Sequence, residues 1–83
     1  MRVISQCGTI DVPYEYFSFN VARSNDGKGI IFCRNLSSPN GTKLAEYSTV
    51  EKAKAVLEDM RISYARIEDF FIFPIEGTVK DET

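Results

Sequence analysis

Residues 16–34 read YFSFNVAR, SNDGKG and IIFCR in succession, and this stretch determines the fold. Apolar side chains alternate with polar or small ones in its first part, so a β-strand there has one apolar face. That face carries Phe17, Phe19 and Val21. Asp26-Gly27 is a strong hairpin-turn signal, because glycine tolerates the positive φ that such turns need. The continuous apolar start of 30–34 then predicts a returning strand whose two faces are both at least partly covered.

Short strands are predicted on both sides of this central hairpin. Residues 2–5 and 9–12 form an N-terminal hairpin that ends at Pro13, since proline lacks the N–H that a strand ladder needs. The polar stretch 35–42 contains proline, asparagine and glycine and is predicted to be a loop. Residues 43–47 are predicted to form a further short strand.

A helix is predicted to follow, beginning at a capping-box pattern that reads STVE from Ser48 to Glu51. In this pattern the Ser48 hydroxyl accepts from the third helical N–H, and Glu51 reaches back to the N–H of the cap residue. Apolar residues then recur at intervals of three and four and form one stripe along the helix. They are Val50, Ala53, Leu57, Met60 and Tyr64. No proline or glycine interrupts the segment, so the helix runs to about Tyr64 or Arg66.

The segment after the helix predicts a last strand and a polar end. Residues 70–75 are too short for a second helix and rich in β-favouring side chains, with Pro74 at a strand end or edge. Residues 76–83 are predicted to be a frayed tail. The element order is βββββαβ. The chain is therefore predicted to be one α+β domain over residues 1–75, in which a small antiparallel sheet of hairpins packs against one helix.

The composition restricts the classes of function. The 83 residues include 10 Lys and Arg against 12 Asp and Glu, for a formal net charge of −2. A general nucleic-acid-binding protein needs a basic surplus to neutralise phosphates, so that class is excluded. No apolar run approaches the roughly 20 residues of a membrane span, and no signal-peptide pattern is present, so we expect a cytoplasmic protein without a membrane partner. Because so small a core is marginal, a homo-oligomer (a dimer or higher) is expected.

The chain has no histidine and two cysteines, Cys7 and Cys33. This removes histidine-ligated metals, histidine-activated nucleophiles and the usual proton shuttle. We therefore predict that the protein is not an enzyme and has no catalytic residue, metal or cofactor. Unpaired thiols are expected in a reducing cytoplasm, with a single disulfide as the alternative. Cys33 is expected to be a small buried hydrophobe, and Cys7 an exposed thiol in a turn, with only Arg2 nearby to lower its pKa.

Arginines and aromatic residues near the helix end form a candidate ligand-binding cluster. Arg61 and Tyr64 lie three residues apart and so on neighbouring parts of one helix surface, and Arg66 follows at the helix end. Arginine beside aromatic rings suits a nucleotide, because guanidinium binds phosphate and a ring stacks on a base. The alternative is that Arg61 simply pairs with Glu58 and that the aromatic residues belong to the core.

Five stretches of the chain resemble a group of small proteins from bacteriophages and prophages of Gram-positive bacteria. They are MRVISQ at 1–6, DVPYE at 11–15, LAEYSTVEKA at 44–53, MRISY at 60–64 and FIFP at 71–74. Together they span most of the chain in order, and none contains a catalytic motif. Within that group the pattern is similar to the anti-defence proteins that counter the Thoeris system.

This resemblance implies a role in an infected bacterial host cell. Thoeris anti-defence proteins act as sponges: they bind and hold, without cleaving it, the cyclic ADP-ribose-type signal made by the host TIR enzyme. Some also sequester cyclic oligonucleotides, and they assemble as dimers or higher oligomers. In such a sponge Arg61 binds phosphate, Tyr64 and Phe71 stack on base or ribose, and Arg23 of the central hairpin is a second cation. The segment 65–69 is short for the family, which puts family contacts there in doubt.

A protein–protein inhibitor is the alternative function, for example an anti-CRISPR protein that docks on a nuclease. Acidic residues of the helix and tail would then imitate the charge of a nucleic acid. They are Glu51, Glu58, Asp59, Asp81 and Glu82. A net charge of −2 is weak for that role. A small phage structural or regulatory protein without a ligand is the third interpretation.

Overall fold

The computed structural model of the chain describes residues 1–76. Its elements follow in the order β1 (Arg2–Ile4), β2 (Asp11–Pro13), a 3-10 turn (Tyr14–Tyr16), β3 (Ser18–Arg23), β4 (Gly29–Asn35), β5 (Ser38–Tyr47), α1 (Val50–Ala65) and β6 (Phe70–Ile72). The predicted α+β fold and its order of strands and helix are confirmed. The predicted tail beyond Glu76 lies outside the described residues.

The strands form two three-stranded sheets. In one, β4 lies between β3 and β5 and pairs antiparallel with both. In the other, β1 lies between β2 and β6; the β1–β2 pair is antiparallel, and the β1–β6 pair is parallel. Parallel strands need a long connection between them. Here α1 is the last part of that connection, and it returns the chain to the end of the sheet at which β1 begins. The first and last strands of the described chain are therefore neighbours.

The central hairpin forms as its alternation predicts. β3 and β4 pair from Ser18 opposite Arg34 to Arg23 opposite Gly29. The turn between them has Gly27 at a φ of 86°, a conformation that favours glycine. Phe17, Phe19 and Val21 pack against the core from one face, as predicted.

The predicted loop at 35–42 is wrong, because β5 already begins at Ser38. The β4–β5 register shifts at two places, and these irregularities allow residues that are typical of loops to lie within a strand. Gly41 has a φ of 86°, which fits a bulge. Pro39 is tolerated because β5 is an edge strand of its sheet.

The helix begins one residue later than its capping pattern predicts. Its N-cap is Thr49, whose hydroxyl accepts from the N–H of Lys52 at 3.1 Å. The Ser48 hydroxyl instead donates to a carboxylate oxygen of Glu76 at 2.8 Å. The apolar stripe packs inward as predicted, with Val56 added to it, although Tyr64 remains 41% exposed.

The core lies between α1 and the two sheets. Its largest fully buried side chains are Tyr47, Phe73, Ile31, Met60, Val3 and Val56. Gly29 allows the helix to approach β4 closely, since an added Cβ would lie 2.8 Å from the Cβ of Ala53 and even closer to the Thr49 carbonyl oxygen. Lys52 binds Glu76 at 2.8 Å, which fixes the chain after β6 beside the start of the helix.

Candidate functional site: a groove between the helix and an edge strand

A groove with a volume of about 430 Å³ runs between α1 and β3. It is lined by Phe19, Asn20 and Val21 of the strand and by Lys54, Leu57, Glu58 and Arg61 of the helix. It exists because β3 is the edge of its sheet, so no further strand fills the space beside the helix. Its volume falls within the range of small-molecule sites, about 300–1,000 Å³.

Two cations face this groove from one side of the helix. Lys54 and Arg61 lie seven residues apart, two helical turns, and are both exposed. Arg61 also forms the pair with Glu58 that its spacing allows, with 3.4 Å between Nη1 and Oε1. Both side chains of this pair are more than half exposed, so it is worth at most about 1 kcal/mol. The guanidinium can therefore turn toward an anion at little cost.

Asn20 supplies the most unusual polar group of the groove. Its amide nitrogen is buried and has no hydrogen-bond partner within residues 1–76. Leaving such a donor unpaired costs about 1–3 kcal/mol, so polar groups of this kind usually have a partner. A ligand oxygen would remove the cost only after the side chain had turned outward, since the nitrogen is sealed from solvent. The sequence contains no signal for this, because alternation only places Asn20 on the polar face of β3.

The aromatic residues form a stack beside the groove. Tyr64 stacks on Tyr14, with ring centroids 4.2 Å apart and planes at 20°. Tyr14 stacks in turn on Phe19 at 5.6 Å, and Phe19 lines the groove. One face of the Tyr64 ring is thus already covered by protein. Tyr64 also borders a second cavity, of about 410 Å³, with Met1, Glu15 and Ile67 among its lining residues.

The structure does not bring the other predicted site residues into this groove. Arg66 is the exposed C-cap of α1. Phe71 is partly buried against the core, edge-on to Phe73 at 5.4 Å. Arg23 lies opposite Gly29, beside the start of the helix, about 16 Å along the helix axis from Arg61.

A larger cavity than this groove lies elsewhere and holds residues that the sequence did not single out. It has a volume of about 720 Å³ between the start of β3 and the β4–β5 turn, with Tyr16, Arg34 and Leu36 in its lining. Tyr16 is 74% exposed and Leu36 fully exposed, so these walls are open to solvent. Arg34 is the one cation that residues 1–76 contribute to that lining, and it lies 5.8 Å from the Phe32 ring centroid. The groove at Arg61 has two cations in its lining and is the better anion site.

The two cysteines differ as predicted in burial, and both are free. Burial raises the pKa of Cys33. Cys7 is exposed, and hydrogen bonds from the hydroxyl groups of Ser5 and Thr9 lower its pKa from 9.0 to about 7. The expectation that only Arg2 lies near enough to lower the pKa of Cys7 was wrong. Arg2 is instead paired with Asp11, with 2.8 Å between Nε and Oδ1.

Within residues 1–76, no group of three or more Cys, Asp or Glu side chains is arranged to hold a metal ion. No helix in that part of the chain combines the length and apolar character needed to cross a membrane. A scan against protein-family models and searches among characterised proteins and solved structures found no match to this chain.

Proposed function

We propose that the protein is a binding protein that sequesters a cyclic nucleotide signal, such as a cyclic ADP-ribose isomer or a cyclic oligonucleotide, without cleaving it. The observation that carries this proposal is the groove between α1 and β3, where two cations line one space beside the unpartnered buried amide of Asn20. The proposal includes the phage anti-defence role that the sequence resemblance implies, in the cytoplasm of the infected host.

The cations of the groove supply the recognition of phosphate. The Arg61 guanidinium is a planar fork that binds two phosphate oxygens, and Lys54 adds a mobile point charge. Both groups belong to the same helix face, so they can bind one diphosphate together. Because the ligand is small, this local positive charge is sufficient despite the net charge of −2.

The other groups of the groove suit the neutral parts of a nucleotide. Once its side chain turns outward, the amide nitrogen of Asn20 can donate to a ribose or base oxygen, and the Glu58 carboxylate can accept from a hydroxyl or amino group. The Phe19 ring provides an apolar wall, held in place by its stack on Tyr14. Holding a ligand in this way needs no nucleophile and no general base, which agrees with the predicted absence of catalysis.

Calorimetric titration with a cyclic ADP-ribose isomer and with a cyclic dinucleotide tests the proposal. We expect binding by the wild-type chain and at least about tenfold weaker binding by Arg61→Ala, since a charged hydrogen bond contributes roughly 1.5–3 kcal/mol. Asn20→Leu should also weaken binding. Arg66→Ala removes an exposed arginine outside the groove and should bind like the wild type, which makes it the matched control.

Other outcomes would contradict this function. Failure of both ligands to bind rules out the sequestration of these signals. Loss of binding in Arg34→Ala, with Arg61→Ala unaffected, moves the site to the cavity that Arg34 lines. Heating the complex should release the ligand with its original mass, and a hydrolysed product would identify an enzyme instead.

A further inference from the structure

The outer edge of β6 has backbone groups with no partner among residues 1–76. β6 is the last strand of its sheet, with β1 on its inner side. Arg2 donates its N–H to the carbonyl of Asp69, and Phe73 donates to the carbonyl of Ile4. In a parallel ladder with this register, Phe71 directs both of its backbone groups at β1. The N–H and C=O groups of Phe70 and Ile72 therefore point outward from the sheet.

The exposed apolar side chains around β6 are arranged symmetrically about Phe71. Phe70 and Ile72 are 55% and 51% exposed, one position to either side of it. Ile67 and Ile75 are 89% and 63% exposed, four positions to either side. In an antiparallel pair of two such strands centred on Phe71, Phe70 of one copy would lie opposite Ile72 of the other.

Ile67 supports the functional importance of this apolar surface. Its φ of 59° lies in the left-handed region, where a β-branched residue is strained. The position is the C′ residue of a Schellman motif, where glycine is usual. Because the Ile67 side chain is exposed, it contributes little to the packing of the monomer. An apolar and strained residue at such a position indicates a contact outside the monomer.

From these observations we propose that β6 pairs antiparallel with β6 of a second copy of this chain, about a two-fold axis at Phe71. Phe70 of each copy then lies opposite Ile72 of the other, and their outward groups form about four hydrogen bonds. Both side chains of each pair share the exposed face, where aromatic and β-branched neighbours attract. The β2-β1-β6 sheet of one copy and that of the other then join into one six-stranded sheet.

The charges near β6 favour this antiparallel arrangement. Glu68 and Asp69 stand just before the strand, so a parallel pairing in register would bring like charges together. The antiparallel pairing instead places Asp69 opposite Phe73 of the other copy. Pro74 follows the strand and has no N–H, which limits the pairing to a short segment. A two-fold contact of this kind closes on itself, so association stops at the dimer.

Sedimentation velocity of the full chain tests the proposal. At about 100 μM, a concentration well above a micromolar Kd, we expect twice the 9.4 kDa mass of one chain. Ile72→Pro removes an N–H that has no partner among residues 1–76, so it should give a folded monomer by circular dichroism. Ile72→Val keeps that N–H and the β-branched shape, and should remain a dimer.

A second pair of variants keeps the test valid if the proline variant fails to fold. Phe70→Lys adds a charge on the paired face and should give a monomer. Leu36→Lys changes an even more exposed apolar residue in the β4–β5 turn and should remain a dimer. A wild-type monomer, a dimer that survives both Ile72→Pro and Phe70→Lys, or an oligomer larger than two chains would overturn the proposal. So would a full chain that dimerises only after residues 77–83 are removed.

Discussion

The hydroxyl of Tyr47 donates a 2.7 Å hydrogen bond to the carbonyl oxygen of Pro74, which joins the end of β5 to the chain after β6. The Tyr47 side chain is 1% exposed, and its burial raises its pKa, as does the Glu76 carboxylate to a smaller extent. The side-chain amide of Gln6 donates to the same oxygen at 3.1 Å. One carbonyl oxygen thus links three distant segments of the chain.

Tyr47→Phe is expected to lower the free energy of unfolding by about 1 kcal/mol. The reason is the lost hydrogen bond, while Gln6 still satisfies the carbonyl oxygen. Urea denaturation measures the change. Tyr16→Phe removes the same hydroxyl from a ring that is 74% exposed. It should shift the free energy by less than about 0.5 kcal/mol, and equal losses in the two variants would refute the role of the bond.

The stability of the wild-type chain should fall between pH 4.5 and about 2, in part because of Glu76. Hydrogen bonds from Lys52 and then Ser48 lower the pKa of Glu76 from 4.5 to about 2. A carboxyl group with a lowered pKa stabilises the fold above its unfolded-state pKa and loses this effect as the pH falls through its folded-state pKa. Glu76→Gln should therefore be less stable at neutral pH and lose less stability on acidification.

Urea midpoints measured from pH 7 to pH 2 test this pH dependence. Glu68→Gln is the matched control, since Glu68 is exposed and forms no salt bridge within the described part of the chain. Its stability should follow the wild-type pH profile. A Glu76→Gln profile parallel to that of the wild type would mean that the contact with Lys52 is not formed in solution.

Gly29→Ala is expected to destabilise the fold by about 2–3 kcal/mol, because its Cβ would collide with the first turn of α1. Gly27→Ala is a useful comparison, since its Cβ would meet no atom within 4 Å. Only its positive φ opposes the substitution, at a cost of about 1 kcal/mol. Thermal unfolding should rank the two variants in that order, and the opposite order would contradict the close helix–strand approach.

Ile67→Gly is expected to stabilise the monomer by about 0.5–1 kcal/mol, because relief of left-handed strain exceeds the entropy that glycine adds to the unfolded chain. Ile67→Ala retains a Cβ and should give a smaller gain. Both are best measured in the Ile72→Pro background, so that self-association does not contribute. Destabilisation by glycine would show that the residue is not strained in solution.

Alkylation should distinguish the two thiols. Since the pKa of Cys7 is about 7, its reaction with iodoacetamide should reach half of its maximal rate near that pH. Cys33 should react only on unfolding, because it is buried. Thr9→Val removes one of the hydrogen bonds and should move the midpoint upward. Mass spectrometry of the labelled peptides measures both rates, and a midpoint near 9 would contradict the hydrogen-bonded turn.

The sequence predicts the elements whose signals are local. The alternation of Phe17, Phe19 and Val21 and the turn at Gly27 both involve residues close together in the chain. The parallel pairing of β1 with β6 joins residues about 68 positions apart, and strands of three residues carry no signal for their partner. The helix cap was missed for the same reason, since Ser48 is bound by Glu76 from a distant segment.

The candidate site was predictable only for the residues of α1. The helical pattern places Arg61 on the exposed face, and the structure confirms its predicted alternative pairing with Glu58. The unpaired amide of Asn20 depends on how the helix packs beside β3, which no pattern in the sequence specifies. The stack of Tyr64 on Tyr14 likewise joins a helix end to a turn 50 residues earlier.

The pairing of the first strand with the last has a consequence for biosynthesis. A ribosome that has made β1 to β5 and α1 has not yet supplied β6, nor Phe73, which is 1% exposed in the core. The nascent chain therefore lacks one wall of its hydrophobic core until β6 and Phe73 have been made. Because contacts between β1 and β6 are so distant in sequence, this domain is expected to fold only after Phe73 has left the ribosome.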